Sequence, residues 1–82
     1  MSPYIKKERR RKLQEEHLAI PKDVGELNYY LTSIILDYLP DKPRYKDYNE
    51  VMGVIECMKL EFYARAVRKY EDEKCKSNGD VY

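Results

Sequence analysis

The prolines of this chain divide it into segments that can form helices, and the longest of these segments follows Pro43. Pro40 and Pro43 interrupt any helix, because proline lacks a backbone N–H and its ring clashes with the preceding turn. The proline-free segment opens with Asp47-Tyr48-Asn49-Glu50, which is typical of a capping box, and closes with Ser77-Asn78-Gly79, which is typical of a left-handed helix end. The pattern predicts a helix over residues 47–76, about 45 Å long at a rise of 1.5 Å per residue.

Two apolar stripes run along this predicted helix, so it has two faces to cover. One stripe can pack on a second helix, whereas the other contains small residues that let another backbone come close. Either a sister subunit covers this second face, or the first helix and the C-terminal tail do. The first stripe consists of Val51, Ile55, Met58, Phe62, Ala66 and Tyr70, and the second, the candidate self-association face, of Gly53, Cys57, Leu60, Ala64 and Val67.

Two shorter helices are predicted before Pro40. Residues 7–18 contain only good helix formers and end before Pro21, which predicts a short basic helix. Residues 24–39 follow an Asp23–Glu26 capping box and carry apolar residues at helical spacing. We therefore predict an all-α fold of three helices in a single domain over residues 1–82, with the long C-terminal helix central and packed against the other two.

The length of the chain limits how much surface it can bury alone. With 82 residues it has no room for a second core, and a net stability of a few kcal/mol makes self-association an effective source of further burial. We expect a homo-oligomer. No apolar run is long enough for a membrane span, and no secretory signal opens the chain. Cys57 and Cys75 lie too far apart on one helix to bridge each other, so we expect reduced thiols and a cytoplasmic location.

A run of basic side chains near the N-terminus is the first candidate binding site. Clustered Lys and Arg can release counterions from a polyanion, which favours an anion or nucleotide site or duplex binding. The alternative is a solvated face, or one that is paired with acidic residues of the same molecule. The candidate residues are Lys6, Arg9, Arg10, Arg11 and Lys12.

Tyrosine is unusually frequent, with nine copies beside one Phe and no Trp. Its broad ring and polar hydroxyl favour interfaces and ligand stacking, although the same residues can also cover a small core. We select Tyr4, Tyr29, Tyr48 and Tyr82 as candidate binding residues.

No catalytic or metal-binding pattern is recognisable in the sequence. His17 is the one histidine and has no cysteine or second histidine at ligand spacing, and a Gly-rich phosphate loop or nucleophile elbow is missing. We expect no enzymatic activity, no metal and no cofactor.

Several short motifs together resemble those of a family of short uncharacterised helical proteins from tailed phages and prophages. The motifs span nearly the whole chain: Pro3-Tyr4-Ile5-Lys6, Gly25-Glu26-Leu27-Asn28-Tyr29, Tyr48-Asn49-Glu50-Val51, Gly53-Val54-Ile55-Glu56-Cys57, Lys59-Leu60-Glu61, Tyr70-Glu71-Asp72 and Asn78-Gly79-Asp80-Val81-Tyr82. The resemblance implies a phage-type context, and it brings no activity or catalytic residues with it. The short first helix and the dense Arg run depart from that family's pattern.

These observations predict a non-enzymatic accessory protein that acts by binding. The leading hypothesis is inhibition of a host process or host defence, through a host protein or by sequestering a small anionic nucleotide signal in the host cytoplasm. The alternatives are a nucleic-acid-binding protein that uses the basic helix and a structural or assembly oligomer.

Overall fold

The computed structural model describes residues 5–16 and 19–82, which form three helices and no strand. Helix α1 comprises Lys7–Glu15, α2 comprises Val24–Tyr38, and α3 comprises residues 45–78. The prediction of an all-α chain with a short first helix and a long last helix is confirmed. The chain divides into two compact units, Met1–Ser33 and Ile34–Tyr82, and the boundary between them falls within α2.

Helix α1 has the charge distribution that a helix dipole favours. Glu8 lies in its first turn and Lys12 in its last, so each side chain lies near the helix end of opposite partial charge. The helix ends at Glu15, and the Glu16 N–H donates to the Lys12 carbonyl at 2.9 Å in the turn that follows. The predicted end at residue 18 lies outside the described residues.

The start of α2 confirms the predicted cap. The Glu26 N–H donates to Asp23 Oδ1 at 2.8 Å, which satisfies one of the donors that a helix start leaves unpaired. Glu26 also reaches back, but its Oε1 accepts from the Lys22 N–H at 3.0 Å, one residue before the cap. The helix ends at Tyr38, one residue earlier than predicted, because Pro40 has no N–H to continue it.

The start of α3 differs from the prediction, which placed the cap at Asp47. The helix begins at Tyr45 with Arg44 as its N-cap residue. Asp47 is the third helical residue, and its Oδ2 accepts from the Arg44 N–H at 2.9 Å. A guanidinium has no acceptor, so the Asp47 N–H donates to the Arg44 carbonyl instead, at 3.0 Å. The predicted capping box at Asp47 is wrong because this carboxylate has the back-reaching role.

Helix α3 is not a uniform α-helix. Two α-helical segments, Tyr45–Phe62 and Arg68–Asn78, are joined by a π-helical segment, Tyr63–Val67. Such a segment holds one more residue per hydrogen-bonded turn than an α-helix. The helix ends at Asn78, two residues later than predicted, and Gly79 follows with φ +84° and ψ 152°, a conformation open essentially to glycine alone.

None of the described residues is buried. Among the apolar residues of the second unit, those with intermediate exposure cluster on both sides of the turn between α2 and α3, or lie at the π-helical segment: Ile35, Leu39, Pro43, Val51, Ile55 and Val67. The single domain and the packing of α3 against the other two helices therefore stay predictions. None of the described helices is both long enough and apolar enough to cross a bilayer.

Candidate interaction surfaces

The basic residues of α1 fall on two opposite faces. Residues at positions i, i+3, i+4 and i+7 share one face of a helix, and Lys7, Arg10, Arg11 and Gln14 have this spacing. Together with Glu8 they line a depression of about 440 Å³. The structure thus brings Arg10 and Arg11 together, whereas Arg9 and Lys12 do not line this depression.

All six basic side chains of residues 6–12 are exposed, and within residues 5–16 and 19–82 none of them forms an ion pair. These cations are therefore exposed within the first unit. Lys7 was not among the predicted binding residues, although its i, i+3, i+4 spacing to Arg10 and Arg11 is the signal that could have identified it. Three cations converge on one surface that an anion can reach.

A second depression lies at the start of α2, within the first unit. Its volume is about 280 Å³, and its lining is mainly apolar: Ala19, Ile20, Pro21, Gly25, Glu26, Tyr29 and Tyr30. The short connector brings Ile20 and Pro21 to the first turns of α2, and Tyr29 and Tyr30 follow one turn later. Gly25 is also among the lining residues, and a Cβ at this position would be in ordinary contact with Asp23 Oδ1, at 3.4 Å.

The predicted tyrosines lie on different elements of the chain. Tyr29 lines the α2 depression and is 75% exposed, and Tyr30 beside it is half-buried. Tyr48 is exposed on the first turns of α3, and Tyr82 is exposed in the tail, where its N–H donates to Asp80 Oδ1 at 2.8 Å. Tyr4 lies outside the described residues. The α2 depression therefore uses one predicted tyrosine and one, Tyr30, that the prediction left out.

The π-helical segment changes which residues of α3 share a face. Each α-helical residue advances about 100°, and one extra residue in the segment turns everything after it back by about the same angle. In a uniform α-helix Tyr70 would lie about 100° away from Val51, whereas the segment returns it to the line of Val51 and Phe62. Val67 turns by a similar angle away from Gly53 and Leu60. The first predicted stripe therefore continues to Tyr70, whereas Val67 turns away from the second.

Three side chains that were not among the predicted binding residues cluster around the π-helical segment. The Tyr63 hydroxyl donates to Glu71 Oε1 at 2.6 Å, and the Arg68 guanidinium lies over the Tyr63 ring, 5.7 Å from its centre. The hydrogen bond to Glu71, with the negative charge of that carboxylate, raises the pKa of Tyr63 above its ordinary value of 10.0. This cluster is exposed, and its three members all lie on α3.

Nothing in the described ranges assembles into a reactive centre. Cys57 and Cys75 are both exposed free thiols. Across residues 5–16 and 19–82, no group of three or more His, Cys, Asp or Glu side chains is placed to hold a metal ion. The described surfaces are therefore two depressions and one long apolar helix face, all suited to binding.

Comparison with known proteins places the chain in a family. No curated protein and no solved structure shows significant similarity to it. A family model described as a domain of unknown function, DUF6899, does match, and the match extends over residues 1–81. Since this is nearly the whole chain, the protein belongs to the DUF6899 family of uncharacterised proteins.

Proposed function

We propose that this protein is a non-enzymatic, phage-type accessory protein that inhibits a host process by binding a host protein. The observation that carries the proposal is the apolar depression at the start of α2, with Tyr29 and Tyr30 on one side and Ile20 and Pro21 on the other. Aromatic side chains around a small apolar pocket are the usual centre of a protein interface, because a partner side chain that fills the pocket is fully removed from water.

The exposure of large apolar residues elsewhere on the same helix supports this proposal. Val24, Leu27, Leu31 and Leu36 are all exposed, and the first three share one face of α2, an arrangement that is typical of an interaction surface. The family resemblance to phage and prophage proteins favours a partner in the host cytoplasm. Self-association, for which α3 provides a separate surface, is part of the same proposal.

A paired substitution tests the α2 site. Tyr29→Glu places a charge in the apolar depression, whereas Tyr45→Glu makes the same change at a tyrosine that is slightly more exposed and does not line it. We expect the wild type and Tyr45→Glu to capture the same bacterial protein, and Tyr29→Glu not to capture it. The captured protein is then purified, and its affinity for Tyr29→Glu should be at least about tenfold weaker, which corresponds to about 1.4 kcal/mol.

Equal affinity of both variants for the purified partner would contradict the α2 site. A wild-type protein that leaves the activity of every purified partner unchanged would contradict inhibition as the function.

Sequestration of a small anionic nucleotide is the second candidate function, and the depression on α1 favours it. Lys7, Arg10 and Arg11 meet there on one face, and in the described part of the chain no carboxylate pairs with them. Phosphate groups are the natural ligands of such a cluster, since arginine binds them with two parallel hydrogen bonds.

The two faces of α1 provide a matched test of this second function. Arg10→Glu/Arg11→Glu reverses two charges at the depression, and Arg9→Glu/Lys12→Glu reverses two charges away from it, with the same change in net charge. Calorimetry with a panel of nucleotides and with short DNA and RNA should show binding that only the first pair abolishes. An equal loss with both pairs, together with a steep dependence on salt, would indicate nonspecific polyanion binding instead.

A further inference from the structure

We propose that two copies of this chain pair antiparallel along α3, with the two-fold axis at the level of Ala64 in the centre of the π-helical segment. Phe62 of one copy then faces the partner's Ala66, and Met58 faces the partner's Tyr70. The inference deepens the self-association that belongs to the proposed function, and it identifies the face, the direction and the register.

The first support is the continuity of the apolar stripe. Val51, Ile55, Met58 and Phe62 follow each other at spacings of four, three and four, the pattern that packs against a second helix. The π-helical segment keeps Tyr70 in line with them, because it removes the drift of about 100° that a uniform α-helix would have accumulated.

The exposure of this stripe changes along the second unit. Val51 and Ile55 are half-buried, whereas Met58 is 50%, Phe62 64% and Tyr70 61% exposed. The more exposed part therefore extends from Met58 to Tyr70 and is centred on the π-helical segment. In the proposed register each large side chain in this part faces a residue of the same part of the partner, and Phe62 fits against the small side chain of Ala66.

The charges along α3 select the antiparallel direction. Tyr45–Phe62 carries two basic and four acidic side chains, whereas residues 63–78 carry five basic and three acidic ones. Antiparallel pairing brings the acidic half of one copy beside the basic half of the other, and parallel pairing would bring like halves together. Charges that flank an apolar seam set the partner and the orientation of paired helices.

The small-residue face, predicted from sequence as the self-association surface, is the rival. It has one large apolar side chain, Leu60, and the π-helical segment turns Val67 away from it. Leu60 and Phe62 are similarly exposed, at 58% and 64%, and lie on opposite sides of the helix. They provide a matched pair of substitutions.

Light scattering on purified protein tests the face. We expect the wild type and Leu60→Glu to have the mass of a dimer, twice 9.9 kDa, and Phe62→Glu to have the monomer mass of 9.9 kDa. A monomeric wild type would overturn the proposal, and so would a dimer that Leu60→Glu dissociates and Phe62→Glu leaves intact.

Disulfide trapping tests the direction and does not depend on a disruptive substitution. In a Cys57→Ser/Cys75→Ser background, coexpressed Met58→Cys and Tyr70→Cys chains should oxidise mainly to the mixed dimer. Each variant alone should remain uncrosslinked. Efficient crosslinking of each variant with itself would indicate a parallel pair and overturn the proposal. Neither measurement includes a host protein. Both results therefore stand whether or not the proposed interaction with a host protein exists.

Discussion

The Tyr63 hydroxyl donates a 2.6 Å hydrogen bond to the Glu71 carboxylate, eight residues further along the same helix. In a uniform α-helix, residues eight apart differ by about 80° around the axis, which places their side chains on adjacent faces. The π-helical segment between them reduces the difference to about 20°, because it holds one extra residue. The π-helical segment therefore places the two side chains nearly in line along the helix, which favours the hydrogen bond between them.

The first prediction concerns the ionisation of Tyr63. Its pKa is raised because the Glu71 carboxylate accepts the phenolic proton in a hydrogen bond and repels the phenolate. Glu71→Gln removes the charge, so we expect the Tyr63 pKa to fall towards 10.0. Tyrosine-resolved NMR titration measures this shift, and Tyr45 and Tyr48 serve as internal controls. An unchanged Tyr63 pKa would contradict the hydrogen bond.

The same raised pKa has a consequence for stability at high pH. A pKa that is higher in the folded than in the unfolded chain stabilises the fold below the unfolded value and ceases to do so as the pH rises through the folded value. The contribution of Tyr63 should therefore be complete below pH 10 and decline above it. We expect helicity above pH 10 to fall more steeply in the wild type than in Tyr63→Phe, as measured by circular dichroism. Parallel curves would contradict the assignment.

The cap of α2 depends on Asp23. Asp23→Ala removes the oxygen that accepts from the Glu26 N–H, and such a loss costs about 1 kcal/mol of helix stability. We expect faster hydrogen exchange in the first turn of α2. Asp41→Ala, in the turn after the helix, removes a carboxylate without removing a cap and should have little effect. Equal exchange in both variants would show that the cap contributes nothing.

The start of α3 depends on Asp47 through a different bond. Asp47→Ala leaves the Arg44 N–H without its 2.9 Å acceptor, so we expect the helix to begin later and the exchange of residues 44–48 to increase. Asn49→Ala is the control. Asn49 lies two residues further along the same helix, and its side chain makes no capping hydrogen bond in the structure. If Asn49→Ala freed the same amides, the assignment of Arg44 as the N-cap residue would be wrong.

The extra residue of the π-helical segment can be removed or doubled. Deletion of Ala64 should convert the segment to a regular α-helix and keep Tyr70 in line with Phe62, because the following residues retain their angular positions. Insertion of an alanine after Ala64 should rotate Tyr70 by about 100° and break the stripe. We expect a dimer from the deletion and a monomer from the insertion by light scattering, with both variants helical by circular dichroism.

The interactions that span four residues or fewer were predictable from the sequence. Asp23 and Glu26 predicted the start of α2, and Gly79 predicted the end of α3, because caps act on neighbouring backbone groups. The start of α3 was ambiguous for the same local reason, since an Asp can cap a helix or reach back to a cap three residues earlier. Only the backbone conformation of Arg44 decides between these roles.

The binding surfaces were predictable only in part. The basic run on α1 was recognised, but the set that shares one depression is Lys7, Arg10 and Arg11, and the helical spacing rather than the density of charge selects it. Tyr29 was selected, but Tyr30, Ile20 and Pro21 join it through the path of the connector. Residue type indicates what a side chain can bind, and the path of the backbone decides which side chains meet.

By itself, the sequence determined that this chain forms three helices separated by prolines, that the last is long, and that α1 is basic. These properties follow from backbone sterics, helix propensity and capping, which act over a few residues. The three-dimensional structure alone decided that α3 contains a π-helical segment, which keeps Tyr70 in the predicted line with Phe62 and lets Tyr63 reach Glu71. No Gly or Pro lies in Tyr63–Val67, so the sequence carries no local signal of the kind that usually marks a break in a helix.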